Sequence, residues 1–126
     1  MKDLFVKYKL AKLLKEKGFN DDCLGFFNQS KKLIISDNYN DYHLTSPTYD
    51  QVFNWLEEKH QIFIEIGVDC TTYPKFCYSV NKFFGNPKDL TEKEWGWEHP
   101  KPSNWFLYKS RKEATEEAIK FAITLI

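Results

Sequence analysis

Within the twenty residues from Gly85 to Asn104 the chain carries Trp95, Trp97 and His99, and Trp105 follows directly. Large amphipathic rings beside polar groups are what binding hot spots are made of. Such rings also stack on a base when a cation waits for the phosphate. Lys101 and the run Ser110-Arg111-Lys112 supply those cations, and a helix starting at Ser110 would turn free backbone N–H groups toward an anion. Tyr73 is expected close by. The candidate binding residues are therefore Tyr73, Trp95, Trp97, His99, Lys101, Trp105, Ser110, Arg111 and Lys112. Their expected partner is either a protein or a small anionic, nucleotide-like ligand. The plainer alternative is that the loop folds back and its tryptophans plug an open sheet face, Trp105 above all because it reads as a strand residue.

Other chemistry is poorly supported. Cys23, Cys70 and Cys77 are an odd set without a Cys-x-x-Cys pair, which suits neither a disulfide framework nor a zinc site. Phosphate loops, Gly-x-Ser-x-Gly elbows, His-Glu-x-x-His helices and dinucleotide fingerprints do not occur, so no catalytic residue, cofactor or metal is expected. Eighteen basic residues balance eighteen acidic ones. That argues against a broadly cationic nucleic-acid binder, although a local basic patch remains compatible with it. No apolar run approaches the roughly 20 residues that span a bilayer. Unpaired cysteines and an N-terminus without a signal-peptide core point to the cytoplasm. Neutral net charge with exposed aromatic surface also makes self-association an expected alternative to a foreign partner.

The elements that must hold these residues are legible from periodicity. Leu4, Tyr8, Ala11 and Leu14, widened by Val6, Leu10 and Leu13, predict a first helix ending at Gly18, with Phe19 making the hydrophobic contact of a Schellman ending. Residues 23–27 and 32–36 flank the turn formers Asn28-Gln29-Ser30-Lys31 and read as a hairpin. Thr48 and Gln51 form a capping box for a second helix whose buried face is Tyr49, Val52, Phe53 and Leu56, with Trp55 beside it. His60 ends that helix, where a protonated imidazole complements the dipole. Ile62, Ile64, Ile66 and Val68 alternate with Phe63, Glu65 and Gly67, giving a strand with one core side and one mixed side. A second strand is expected over 76–84 and a third over 105–108. Ser110 and Glu113 cap a last helix with Ala114, Ala118, Phe121, Ala122 and Leu125 buried.

The order is then α-β-β-α-β-β-β-α. Strands joined by short turns imply one α+β domain over residues 1–126, with an antiparallel sheet of about five strands and helices packed on one face. From Thr48 onward the order α-β-β-β-α is that of a double-stranded-RNA-binding domain, which makes an RNA- or DNA-binding module the alternative reading. Thr115-Glu116-Glu117 places acids where such a domain presents a further lysine, so nucleic acid is the weaker partner.

Gly18-Phe19-Asn20-Asp21-Asp22-Cys23-Leu24-Gly25 and Ser46-Pro47-Thr48-Tyr49-Asp50-Gln51-Val52-Phe53-Asn54-Trp55-Leu56-Glu57-Glu58-Lys59-His60 resemble a family of small uncharacterised proteins of Bacteroidales and their phages and mobile elements. Glu113-Ala114-Thr115-Glu116-Glu117-Ala118 resembles that family's last helix. Leu56 and Glu57 stand where the family shows phenylalanine and arginine. The resemblance implies the setting of a bacterial or phage accessory protein, which a role in countering host defence would fit, and it implies no activity.

Overall fold

The computed structural model describes residues 1–40, 43–69, 75–85, 96–100 and 107–126. Among these, three α-helices and two three-stranded antiparallel sheets give an α+β protein. The chain divides into two compact units, Met1–Trp55 and Leu56–Ile126.

In the first unit, a 3-10 turn at Lys2–Leu4 precedes an extended step at Phe5 and Val6, and helix α1 runs only from Tyr8 to Glu16. The helix therefore begins later than the spacing predicts. Phe5 and Val6 are buried from extended backbone, while Leu4 is exposed. Backbone pairing explains the change: Phe5 bridges Thr48, and the Val6 N–H donates to the Pro47 carbonyl at 3.0 Å. The ending is as expected. Gly18, at φ +96°, donates to the Lys15 carbonyl, and Phe19 donates to the Leu14 carbonyl.

Strands β1 (Gly25–Phe27) and β2 (Leu33–Ile35) form the expected hairpin. The Asn28 side chain accepts from the Ser30 and Lys32 N–H groups, and Lys31 adopts a left-handed φ of 59°. All three β1 residues are buried. At Gly25 the backbone passes close to the Phe5 ring, where a Cβ would stand 3.0 Å from it and force the ring to give way. Strand β3 (Leu44–Thr45), which periodicity over two residues does not reveal, pairs with the other edge of β1.

Helix α2 (Tyr49–His60) opens with the capping box: the Thr48 N–H donates to Gln51 Oε1 and the Gln51 N–H donates to Thr48 Oγ1. Its buried stripe is rotated from the expected one. Val52, Trp55 and Leu56 are buried, whereas Tyr49 and Phe53 are half-buried. Phe19, set by the Schellman turn, meets Trp55 edge-to-face at 5.4 Å and draws that ring inward. At the end of the helix, burial and then the Lys82 charge lower the pKa of His60, so the neutral imidazole is favoured rather than the dipole-stabilised cation.

The second unit holds β4 (Ile62–Asp69), β5 (Lys75–Phe84), β6 (Gly96–Glu98) and helix α3 (Arg111–Ile123). The strand order is β4-β5-β6. The expected single sheet of about five strands is thus two separate sheets. The reason is that each hairpin completes its own sheet: β3 takes the free edge of β1, and β6 takes the free edge of β5. The expected third strand at 105–108 also changes. Residues 105 and 106 lie outside the described set, Tyr108 makes a single bridge to Phe76, and the strand beside β5 comes from the tryptophan loop instead.

Helix α3 begins as predicted, with Ser110 Oγ accepting from the Glu113 N–H at 3.1 Å. Ala114, Ala118 and Ala122 are fully buried and let the helix approach the sheet closely. Ile119 and Ile123 fill the flanks, and Phe121 is only half-buried. Thr115 is buried too, its hydroxyl donating to the Arg111 carbonyl. At the far end Lys82 Nζ donates to the Leu125 carbonyl at 2.9 Å, satisfying one of the acceptors left open where the helix stops.

The rotated stripe changes what mutation should do. Leu56→Ala is expected to lose about 2–5 kcal/mol as a core truncation. Phe53→Ala should lose on the order of 1 kcal/mol, as should removal of the cap in Ser110→Ala. Urea unfolding of the three variants checks this, and a larger loss at Phe53 than at Leu56 contradicts the stripe.

Candidate functional site

The second sheet has two unlike faces because paired residues share a side and successive residues alternate. Ile62 opposes Lys82, Ile64 opposes Val80, Ile66 opposes Tyr78 and Val68 opposes Phe76. Ile62, Val80 and Tyr78 from this face are buried. Tyr78 packs on Phe121 of α3, and Arg111 lies 5.3 Å over the Phe76 ring. This is the side that α3 covers.

The opposite face carries Phe63 against Asn81, Glu65 against Ser79, Gly67 against Cys77, and Phe83 against Trp97. Continuing the β5–β6 register sets His99 beside Asn81, and their side chains hydrogen-bond at 2.6 Å, Nδ1 to Oδ1. In the tautomer that donates from Nδ1 to the amide oxygen, Nε2 is an acceptor. Trp97 meets Phe63 edge-to-face at 5.2 Å and Phe83 at 5.1 Å. Phe83 is buried, but Trp97 is 49% exposed. Phe63, Glu65, Asn81, Trp97 and His99 line an open hollow of about 300 Å³. A rigid aromatic floor with a carboxylate, an amide and an imidazole around it can hold a side chain or planar group by packing and by accepting hydrogen bonds.

Two of the sequence-predicted residues, Trp97 and His99, therefore share one surface. Tyr73, Trp95, Lys101 and Trp105 lie outside the described residues. Ser110 and Arg111 are engaged elsewhere. Ser110 is occupied as a helix cap, and the Arg111 guanidinium stacks on Phe76, on the covered face. Phe76 and Phe83 are seven residues apart on β5, or about 23 Å. Among the described residues, the Arg111 guanidinium and the Trp97 ring are thus on opposite faces of the sheet.

Phe63, Glu65 and Asn81 complete the hollow and are not among the sequence-predicted candidates. Their signal was present in part, since alternation already put Phe63 and Glu65 on the mixed side of β4. What places them against Trp97 is cross-strand register, which periodicity along one strand does not contain.

A second hollow, of about 440 Å³, lies in the first unit, with Lys15, Phe19, Asp22, Tyr39 and His43 among its lining residues. Its polar groups serve the fold. The Cys23 N–H donates to the Tyr39 hydroxyl, the Asn40 N–H donates to His43 Nδ1, and the His43 ring stacks on Phe26 at 4.5 Å. Burial, aided by Asp21 and Asp22, pushes the Cys23 thiol up to about 11 despite a hydrogen bond to Thr45. It is therefore a thiol at neutral pH, not a nucleophile. Among the described residues no group of three or more His, Cys, Asp or Glu is arranged to hold a metal ion. Nor is any helix among them long and apolar enough to cross a membrane. No protein-family model, curated protein or solved structure matches the chain.

The covered face makes a pH prediction. Burial, the neighbouring Tyr108 hydroxyl with its hydrogen bond, and Glu117 push Tyr78 from its ordinary value of 10 up to about 12. The fold thus keeps Tyr78 neutral after the unfolded chain has begun to ionise. The stability it contributes is intact below pH 10 and is lost as pH rises to about 12. Denaturant midpoints measured across this window should fall less steeply for Tyr78→Phe than for the parent. Equal slopes would contradict the assignment.

Proposed function

We propose that the protein is a non-enzymatic binding module that recognises a protein partner through the open face of its second sheet. The carrying observation is Trp97: a ring half exposed yet braced by Phe63 and Phe83. An aromatic side chain already fixed in place loses little freedom on binding, which is what makes such residues effective anchors. Between the two expected ligand classes, a protein is favoured over an anionic nucleotide. The charge lining the hollow is Glu65, while Arg111 is stacked on the other face. The sequence resemblance supplies the setting of this proposal, an accessory protein of bacterial or phage origin.

The test is selection of a random-sequence peptide display library on the parent protein. Enriched peptides should lose binding to Trp97→Ala, with the fold verified by amide NMR, and keep it with Arg111→Ala. Failure to enrich any peptide, or enrichment indifferent to Trp97, would remove the reading.

A second reading, RNA binding, is favoured by one observation: α2, β4, β5, β6 and α3 follow the order of a double-stranded-RNA-binding domain, with neighbouring strands paired in sequence. It requires retention of an RNA duplex whose affinity falls steeply from low to moderate salt and which Arg111→Ala and Lys112→Ala weaken. Duplex binding of that kind, together with no Trp97-dependent peptide, would make it the better account.

A further inference from the structure

The geometry points to a basic side chain, arginine or lysine of a partner protein, as the group that the Phe63–Glu65–Asn81–Trp97–His99 hollow receives; this rests on the proposed reading and names its ligand chemistry. Three observations converge on it. First, the floor is aromatic. Trp97, with Phe63 and Phe83 against it, leaves about half of its surface open, and indole is the ring that attracts a cation most strongly.

Second, the polar groups at the rim are weighted toward accepting. Glu65 lies two residues along β4 from Phe63, so its exposed carboxylate is on the same face. Among the described residues it forms no ion pair. In the tautomer that donates to Asn81 through Nδ1, His99 presents Nε2 as a second acceptor.

Third, no lysine or arginine among the described residues lines the hollow. Lys82 belongs to the opposite face and is bonded to the Leu125 carbonyl, and Arg111 lies over Phe76 on that same opposite face. Lys75 shares the open face but sits six residues from Asn81, about 20 Å along β5. An anion placed on the ring would meet Glu65 with none of these cations to offset it. A guanidinium or ammonium would meet a ring and a carboxylate together, the pairing that gives charge complementarity without burying an unpaired charge. The hollow, at about 300 Å³, has room for one such side chain.

The experiment follows the indole N–H resonance of Trp97, assigned by its loss in Trp97→Phe. It titrates short glycine-flanked peptides centred on arginine, lysine, citrulline or glutamate, and adenosine monophosphate. The arginine and lysine peptides should shift the resonance, and the citrulline peptide, the same shape without the charge, should bind roughly tenfold more weakly. Glu65→Gln, an exposed substitution, should retain the parent's melting temperature and erase most of the difference between arginine and citrulline. Equal binding of arginine and citrulline peptides overturns the inference, as does a response to adenosine monophosphate alone. If the display selection yields Trp97-dependent peptides without basic residues, the protein-binding reading stands and the basic-ligand inference falls. If it yields none and no probe moves the resonance, both fall.

Discussion

Eight consecutive residue pairs join β4 to β5 without a bulge. Everything in the second unit depends on that ladder. Side chains alternate along each strand, so the register sends Ile62, Ile64, Tyr78 and Val80 to one side and Phe63, Glu65, Asn81 and Phe83 to the other. A slip of one residue would exchange the two sets, bringing Glu65 under α3 and the isoleucines into water. The burial of Ile62 and Val80 beneath α3 makes that slip costly and keeps the open face polar and aromatic. Strand β6 then reads the same register from β5 and delivers Trp97 beside Phe83 and His99 beside Asn81.

The two faces of this sheet illustrate how one pattern of alternation produces a stable side and a usable side. On the covered face, small alanines on α3 bring backbone close to sheet, and the polar atoms there are matched: Lys82 with the Leu125 carbonyl, Tyr78 with Tyr108. On the open face, the ring of Trp97 shields Phe83 but is itself only half covered. On that side aromatic contacts within the face brace the ring of Trp97. Around the hollow stand a carboxylate, an amide and an imidazole, groups that can hydrogen-bond to a side chain packed on the ring.

The first unit is organised around Ser46. It is fully buried, its hydroxyl donating to the Val6 carbonyl and its N–H to the Gly25 carbonyl, while Val6 returns a bond to Pro47. One short segment thereby satisfies the extended N-terminal step, the edge of β1 and the approach to the capping box at Thr48. This node explains why Phe5 and Val6 leave the helical pattern that their spacing suggests. Helical propensity at the start of the chain yields to backbone pairing with residues about forty positions away.

Local features were decided by the sequence alone. The Schellman ending at Gly18 and Phe19, the turn at Asn28–Lys31, and the caps at Thr48 and Ser110 were each legible, because the partners lie within a few residues and the side-chain chemistry allows few alternatives. The core side of β4 was legible for the same reason, as alternation is a property of one strand. Tertiary structure decided the rest. Which edge accepts a third strand, which way α2 turns Trp55, and which residues stand opposite Trp97 all depend on pairings between distant segments. Arg111 shows the consequence most plainly. Its type and its place at a helix start suited an anion site beside the tryptophans, yet the register of β5 sets Phe76 and Phe83 on opposite faces, and the guanidinium goes with Phe76. Alternation along β5 already separates those two rings, but which of them Arg111 and Trp97 join depends on pairings between distant segments.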